Sequence, residues 1–167
     1  MLVLGRDTDD PDGAPYDVLP ADVVMACGAP VLVLPAQPGP NFKAQRILVA
    51  WKSTAQAARA IHNALPLLKR AQSVLLTEIV SENQATRYEI SAKSMADFLL
   101  SHGVAVSALR IGAAGDAGEQ LMQAAQDNGC DLIVAGAYGH SRLREWALGG
   151  VTRSLLLAST LPCLLSH

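Results

Sequence analysis

LIVAGAYGHSRLREWALGGVT, Leu132 to Thr152, joins an apolar run to two separated pairs of glycines. Leu132–Ala135 is short, apolar and uninterrupted, and reads as a buried strand. Gly136 and Gly139 follow it, and Gly149 and Gly150 stand before a second apolar segment, Val151–Ser159, of helix length. Two physical readings of these glycines compete. In one, bare backbone N–H groups cradle a phosphate at a helix N-terminus, where the dipole favours an anion, and Arg142 and Arg144 add charge-assisted contacts. In the other, they only turn a strand tightly into a helix that starts close to a sheet. Glycine spacing alone does not choose between them.

The chain around this stretch alternates strand and helix. Gln45–Trp51 (QRILVAW) reads as a buried strand, and Ser53–Arg70 as an amphipathic helix opened by a Ser/Thr cap, with Pro66 inside it. Val74–Val80 is a second strand. Tyr88–His102 carries apolar Ile90, Met95, Phe98 and Leu99 at helical spacing and stops at Gly103. Val104–Ile111 is a third strand, and Asp116 and Glu119 form an N-cap pattern for a helix reaching Asn128. Leu132–Ala135 is the fourth strand, and Cys163–Leu165 a short fifth after Pro162. This alternation predicts an α/β fold: a five-stranded, mostly parallel sheet with helices on both faces. With strand order 3-2-1-4-5, the turn at Trp51-Lys52 and the turn at Gly136 share one crevice at the carboxyl ends of the strands.

The first forty residues repeat the end of this pattern. Met1–Leu4 followed by Gly5 matches Leu132–Ala135 followed by Gly136, and Leu19–Pro35 aligns with Val151–His167 so that Pro30 faces Pro162. Residues 1–35 therefore read as a partial strand-helix-strand repeat, Ala36–Lys43 as a Pro/Gly-rich linker, and Ala44–His167 as a complete domain. A piece this small cannot bury its own core, so it must pack on the complete domain or on a second chain.

Composition narrows the function. With 167 residues, half of them apolar, and a net charge of -2, the chain has a core but no electrostatic reason to hold nucleic acid or a membrane surface. The start lacks a basic signal-peptide region, and no apolar run reaches bilayer length. Three cysteines without CxxC spacing fit buried thiols in a reducing cytoplasm. The motifs GxxxxGK[ST], HExxH and GxSxG are absent, as is GxGxxG after the first strand. His62, His102, His140 and His167 are scattered, so no zinc site is expected. Asp10, Asp12 and Gly13 imitate part of a calcium loop, but Thr8 and Leu19 occupy positions that need carboxylates, and a solvated loop is the better reading. No nucleophile has a base beside it, so enzymatic activity is not expected beyond a slow ATPase.

GAYGH, nine residues from His140 to Leu148, then Gly149, resembles the G-x2-G-x9-G-[ST] signature of the universal stress protein family. The opening ILVAW and the closing VTRSLLLASTLPCLL agree with it. The resemblance covers Ala44–His167, and residues 1–35 are similar to the tail of a second such domain, as in tandem members. It implies a Rossmann-like, adenine nucleotide α-hydrolase-like fold, with ATP and magnesium as the ligand in nucleotide-binding members. By position it implies a site of Trp51, Lys52, Val80, Gly136, Gly139, His140, Ser141, Arg142, Gly149, Gly150, Val151 and Thr152. It also implies a homodimer or higher homo-oligomer through the last strand and the partial repeat, with Val31–Leu34 and Cys163–Leu165 able to pair antiparallel within one chain, as the halves of a tandem protein would. Two positions depart from the pattern. Lys52 stands where an aspartate ends the first strand, and Gly150 where the signature has Ser or Thr; Thr152 offers a replacement hydroxyl. A lysine only donates hydrogen bonds and reverses the local charge. An alternative stays open: a dimeric interaction module of this fold that binds no nucleotide. Electron-transfer flavoprotein and PP-loop domains fit less well, the first by length and the second because WKSTAQ lacks an SGGxDS-type loop.

Overall fold

The computed structural model describes residues 1–6, 19–36, 42–81, 85–137 and 150–167, the side chains of 85–90 excepted. Its elements are β1 (Leu2–Gly5), α1 (Pro20–Ala26), β2 (Val31–Leu34), β3 (Arg46–Trp51), α2 (Ala55–Leu68), β4 (Ser73–Val80), α3 (Ala85–Ser101), β5 (Val106–Gly112), α4 (Ala117–Asp127), β6 (Leu132–Gly136), α5 (Gly150–Ala158) and β7 (Cys163–Ser166). Local chemistry sets several boundaries. The Thr54 hydroxyl accepts from the Ala57 amide at 3.3 Å and opens α2, and Asp116 Oδ1 accepts from the Glu119 amide at 2.9 Å and opens α4. The Asp131 carboxylate, just before β6, accepts from the amides of Gln45 and Arg46 and so fixes where β3 begins. Pro66 is accommodated within α2, on its exposed face.

Among the described residues, the sheet has seven strands, in the order β1-β2-β7-β6-β3-β4-β5. This corrects the expected five-stranded sheet: the order 3-2-1-4-5 is retained in β5-β4-β3-β6-β7, but the strands of the N-terminal piece extend it. The extension occurs because β7 offers β2 a free edge, and the two pair antiparallel, Val31 opposite Leu165 and Val33 opposite Cys163. Every other neighbouring pair is parallel. Thus β1-β2 and β6-β7 are two parallel pairs meeting back to back at an antiparallel seam.

Two cores lie on opposite faces of the sheet. One packs Ile47, Val49, Leu76 and Leu132 under α2 and α3; the other packs Leu48, Ile133, Leu155 and Leu165 under α1, α4 and α5. The N-terminal piece contributes to both, Leu32 to the first and Val24, Val31 and Val33 to the second. It therefore docks on the rest of the chain. Arg6 adds a polar tie, donating to the carbonyls of Leu156 and Ser159 at the end of α5, at 3.1 and 2.8 Å. With both edges of β7 filled, β1 becomes a sheet edge, and its Leu2 and Val3 are exposed. Cys163 lies inside the seam, and burial pushes its thiol up to about 11. A disulfide from it to another chain would require the seam to open.

Candidate functional site

A cavity of about 470 Å³ opens at the carboxyl ends of the central strands. β3 supplies Ala50 and Trp51, and Lys52 follows it; β4 supplies Thr77 and Ile79; β6 supplies Ala135 and Gly136. Helix N-termini close the walls, with Asp116 and Ala117 from α4 and Gly150, Val151 and Thr152 from α5. Strand order reverses between β3 and β6, so connections leave to opposite faces and a crevice remains between them. Its volume lies in the range of small-molecule sites.

The glycines answer the opening question differently. A Cβ on Gly136 would lie 2.5 Å from the Ala57 amide nitrogen and 2.6 Å from the Gln56 carbonyl carbon. Gly136 is therefore glycine because the first turn of α2 packs directly on the end of β6. Gly150 opens α5, and among the described residues its Cβ would meet only Asp116 Oδ2, at 3.9 Å. Gly139 and Gly149 lie outside the described residues, as do His140, Ser141 and Arg142.

Of the remaining expected residues, Trp51, Lys52, Gly136, Gly150, Val151 and Thr152 line this one cavity. Val80 does not. Side chains alternate along β4, so Ile79 and the following Ser81 meet the cavity while Val80 is buried away from it. The backbone contact expected near Val80 thus belongs to the neighbours on either side. Asp116 was legible as a helix cap, but its place on the cavity wall was not. The signal was available: α4, like α2 and α5, begins at the carboxyl edge of a parallel sheet. The Asp116 carboxyl is held below the usual range by the Glu119 amide and the Ser154 hydroxyl.

Glu78 sits beside Trp51 in the β3–β4 register and, like Trp51, faces α3. It is 2% exposed, and neither carboxylate oxygen has a hydrogen-bond partner among the described residues. Burial raises its pKa, against a smaller lowering by Arg110. A carboxyl whose folded pKa is raised destabilises the fold as pH climbs from the unfolded to the folded value, and the cost persists above. Glu78→Gln is therefore expected to stabilise the protein by about 1–2 kcal/mol at neutral pH. The gain should fade as pH falls below the ordinary glutamate range. Urea melts of both proteins at pH 4 and pH 7 check this; a pH-independent difference would refute it.

Among the described residues, no helix is long and apolar enough to cross a membrane. The Universal stress protein family matches residues 43–167. A universal stress protein of Synechocystis sp. is 38% identical over 50 residues, covering 30% of this chain and 17% of that protein. Another, from Methanocaldococcus jannaschii, is 37% identical over 46 residues, 28% of each chain. The matched segments thus span less than a third of either relative's length. A solved universal stress protein in complex with cAMP shares the fold with a TM-score of 0.61 at 20% identity, over 74% of this chain and 96% of that one.

Proposed function

This chain belongs to the universal stress protein family, and we propose that its cavity binds an adenine nucleotide, ATP with magnesium first. In this reading the chain is a cytoplasmic, nucleotide-responsive stress protein and not an enzyme. The observation that carries it is convergence: six residues expected from two distant sequence segments line one cavity at the switch point of the sheet. Ile79 offers apolar surface to a base, and α5 offers the amides of its first turn to an anion. The complex of a related fold with cAMP supports the same ligand class. The N-terminal piece is read as the tail of a preceding domain of the same kind. Its support is the seam, across which β1-β2 repeats the parallel pairing of β6-β7. Homo-oligomers would then form through this piece.

Calorimetric titration with ATP and magnesium, with GTP and AMP as controls, tests the site. Saturable, ATP-selective heat is expected, and no heat for any nucleotide would sink the proposal. Gly150→Ser is a sharper probe, because space for its side chain exists. Its hydroxyl restores the signature's missing contact and should tighten ATP binding by roughly twofold to tenfold. An unchanged constant would mean that no phosphate reaches the start of α5.

A second reading, an interaction module without nucleotide, draws on the exposed β1 edge. Leu2 and Val3 are 44% and 54% exposed there, and an unguarded apolar edge invites pairing. It becomes the leading reading if the titration is flat.

A further inference from the structure

We propose that Asp116 holds the divalent cation that accompanies a bound nucleotide, its Oδ2 supplying the protein's ligand beside the phosphates at the start of α5. This rests on the nucleotide reading above and deepens it: the ligand of the cavity is the magnesium complex of the nucleotide, not the free polyanion. The observation behind it is a carboxylate at the anion end of the site. Gly150, Val151 and Thr152 open α5 on the cavity wall, and Asp116 Oδ2 lies 3.9 Å from where a Cβ on Gly150 would stand. Alone, that carboxylate repels a phosphate held by the amides of the same turn. A divalent cation shared by carboxylate and phosphate converts the repulsion into attraction on both sides.

The donor set fits magnesium. This ion takes oxygen ligands, keeps several waters, and is commonly held by one or two carboxylates together with the phosphates themselves. Asp116 is the one carboxylate among the described residues lining the cavity. Ser81 and Thr152 line it too, but their neutral hydroxyls add oxygen without offsetting the cation's charge. Lys52 is cationic and only donates, so the metal is not drawn to its side. Among the described residues, no three His, Cys, Asp or Glu side chains gather as a metal cluster. The cation is therefore expected to arrive with the nucleotide, not to reside there without it.

Asp116 is also held where this role needs it. Oδ1 accepts from the Glu119 amide at 2.9 Å as the cap of α4, and Oδ2 is left beside Gly150. Gly118 brings the two helices together: a Cβ on it would collide with the Ser154 Cβ of α5. The cap of α4 and the first turn of α5 are thus fixed side by side. A ligand group set by the fold before binding carries less of the ordering cost.

Asp116→Asn removes the charge and keeps the cap, because asparagine caps helices as well as aspartate does. Asp116→Ser, also a capping residue, takes its place if asparagine lowers the melting temperature. Calorimetric titrations of wild type and variant are run with ATP in excess magnesium and with ATP in EDTA. Wild type is expected to bind the magnesium complex about tenfold or more tightly than free ATP, within the usual range of coupling between two ligands. The variant should bind the magnesium complex about tenfold more weakly than wild type does, and free ATP no more weakly. A fold defect or a lost nucleoside contact would instead weaken both forms alike, and that result overturns the assignment. Equal binding of the two forms by wild type overturns it as well, as does a magnesium preference that survives in the variant. In each of these cases the nucleotide reading stands. If wild type binds neither form, the nucleotide reading fails and the assignment with it.

Discussion

Gly136→Ala is expected to destabilise the protein by about 3 kcal/mol or more, the upper end of overpacking costs. The added methyl group would meet backbone, the Ala57 nitrogen and the Gln56 carbonyl carbon. Backbone cannot rotate aside as a side chain can. Relief requires α2 to lift from the sheet, which unpacks Ala60, Ile61, Ala64 and Leu68, all buried on that face. For a chain of this size the melting temperature should drop by roughly 6–12 °C. Thermal denaturation followed by circular dichroism measures it. A drop of under 2 °C would mean that α2 is not seated as closely as described. The same variant should also disturb the cavity, since Thr54 and Ala57 share its wall with Gly136.

Arg6→Ala is expected to cost about 2–3 kcal/mol, through loss of two charge-assisted bonds to the end of α5. The carbonyls it serves belong to the last turn of a helix, where a cation also complements the dipole. Its effect should be local before it is global. β1 and α1 reach the domain through Arg6, the β2–β7 seam and a few side chains of the second core, whereas β3, β4 and β6 are held on both edges. Amide exchange in Leu2–Gly5 and Val31–Leu34 should accelerate roughly tenfold to hundredfold, and that in Ile47–Val49 much less. Equal acceleration throughout would show that the N-terminal piece and the domain open as one unit. Arg6→Lys should recover only part of the loss, because one ammonium cannot reproduce the planar fork that reaches two carbonyls.

Much of the fold was legible because its signals are local. A Ser/Thr cap before α2 and Asp116 before α4 marked helix starts that the hydrogen bonds of Thr54 and Asp116 bear out. The four-residue run at Leu132 and the longer one at Gln45 marked strands to within a residue or so. The antiparallel match of Val31–Leu34 with Cys163–Leu165 was also readable, through the resemblance to a tandem member whose halves pair by their last strands. The count of strands in the sheet was not. Nothing in a four-residue apolar run says whether its edge pairs within the chain or with another.

The site divides in the same way. Residue type and spacing determined which segments carry the backbone of the cavity: the end of β3, the glycine after β6 and the start of α5. Sequence alone also determined that Lys52 removes a carboxylate from that set. Only the tertiary structure decided why Gly136 is glycine, where Glu78 is buried, and that Asp116 faces the same space as Lys52. Local hydrogen bonding and side-chain periodicity are encoded within a few residues of one another. Close approach of two backbones, loss of solvent around a carboxylate and convergence on one cavity depend on groups far apart in the chain. Gly136 meets Ala57, and Asp116 meets Gly150, only after the sheet has formed.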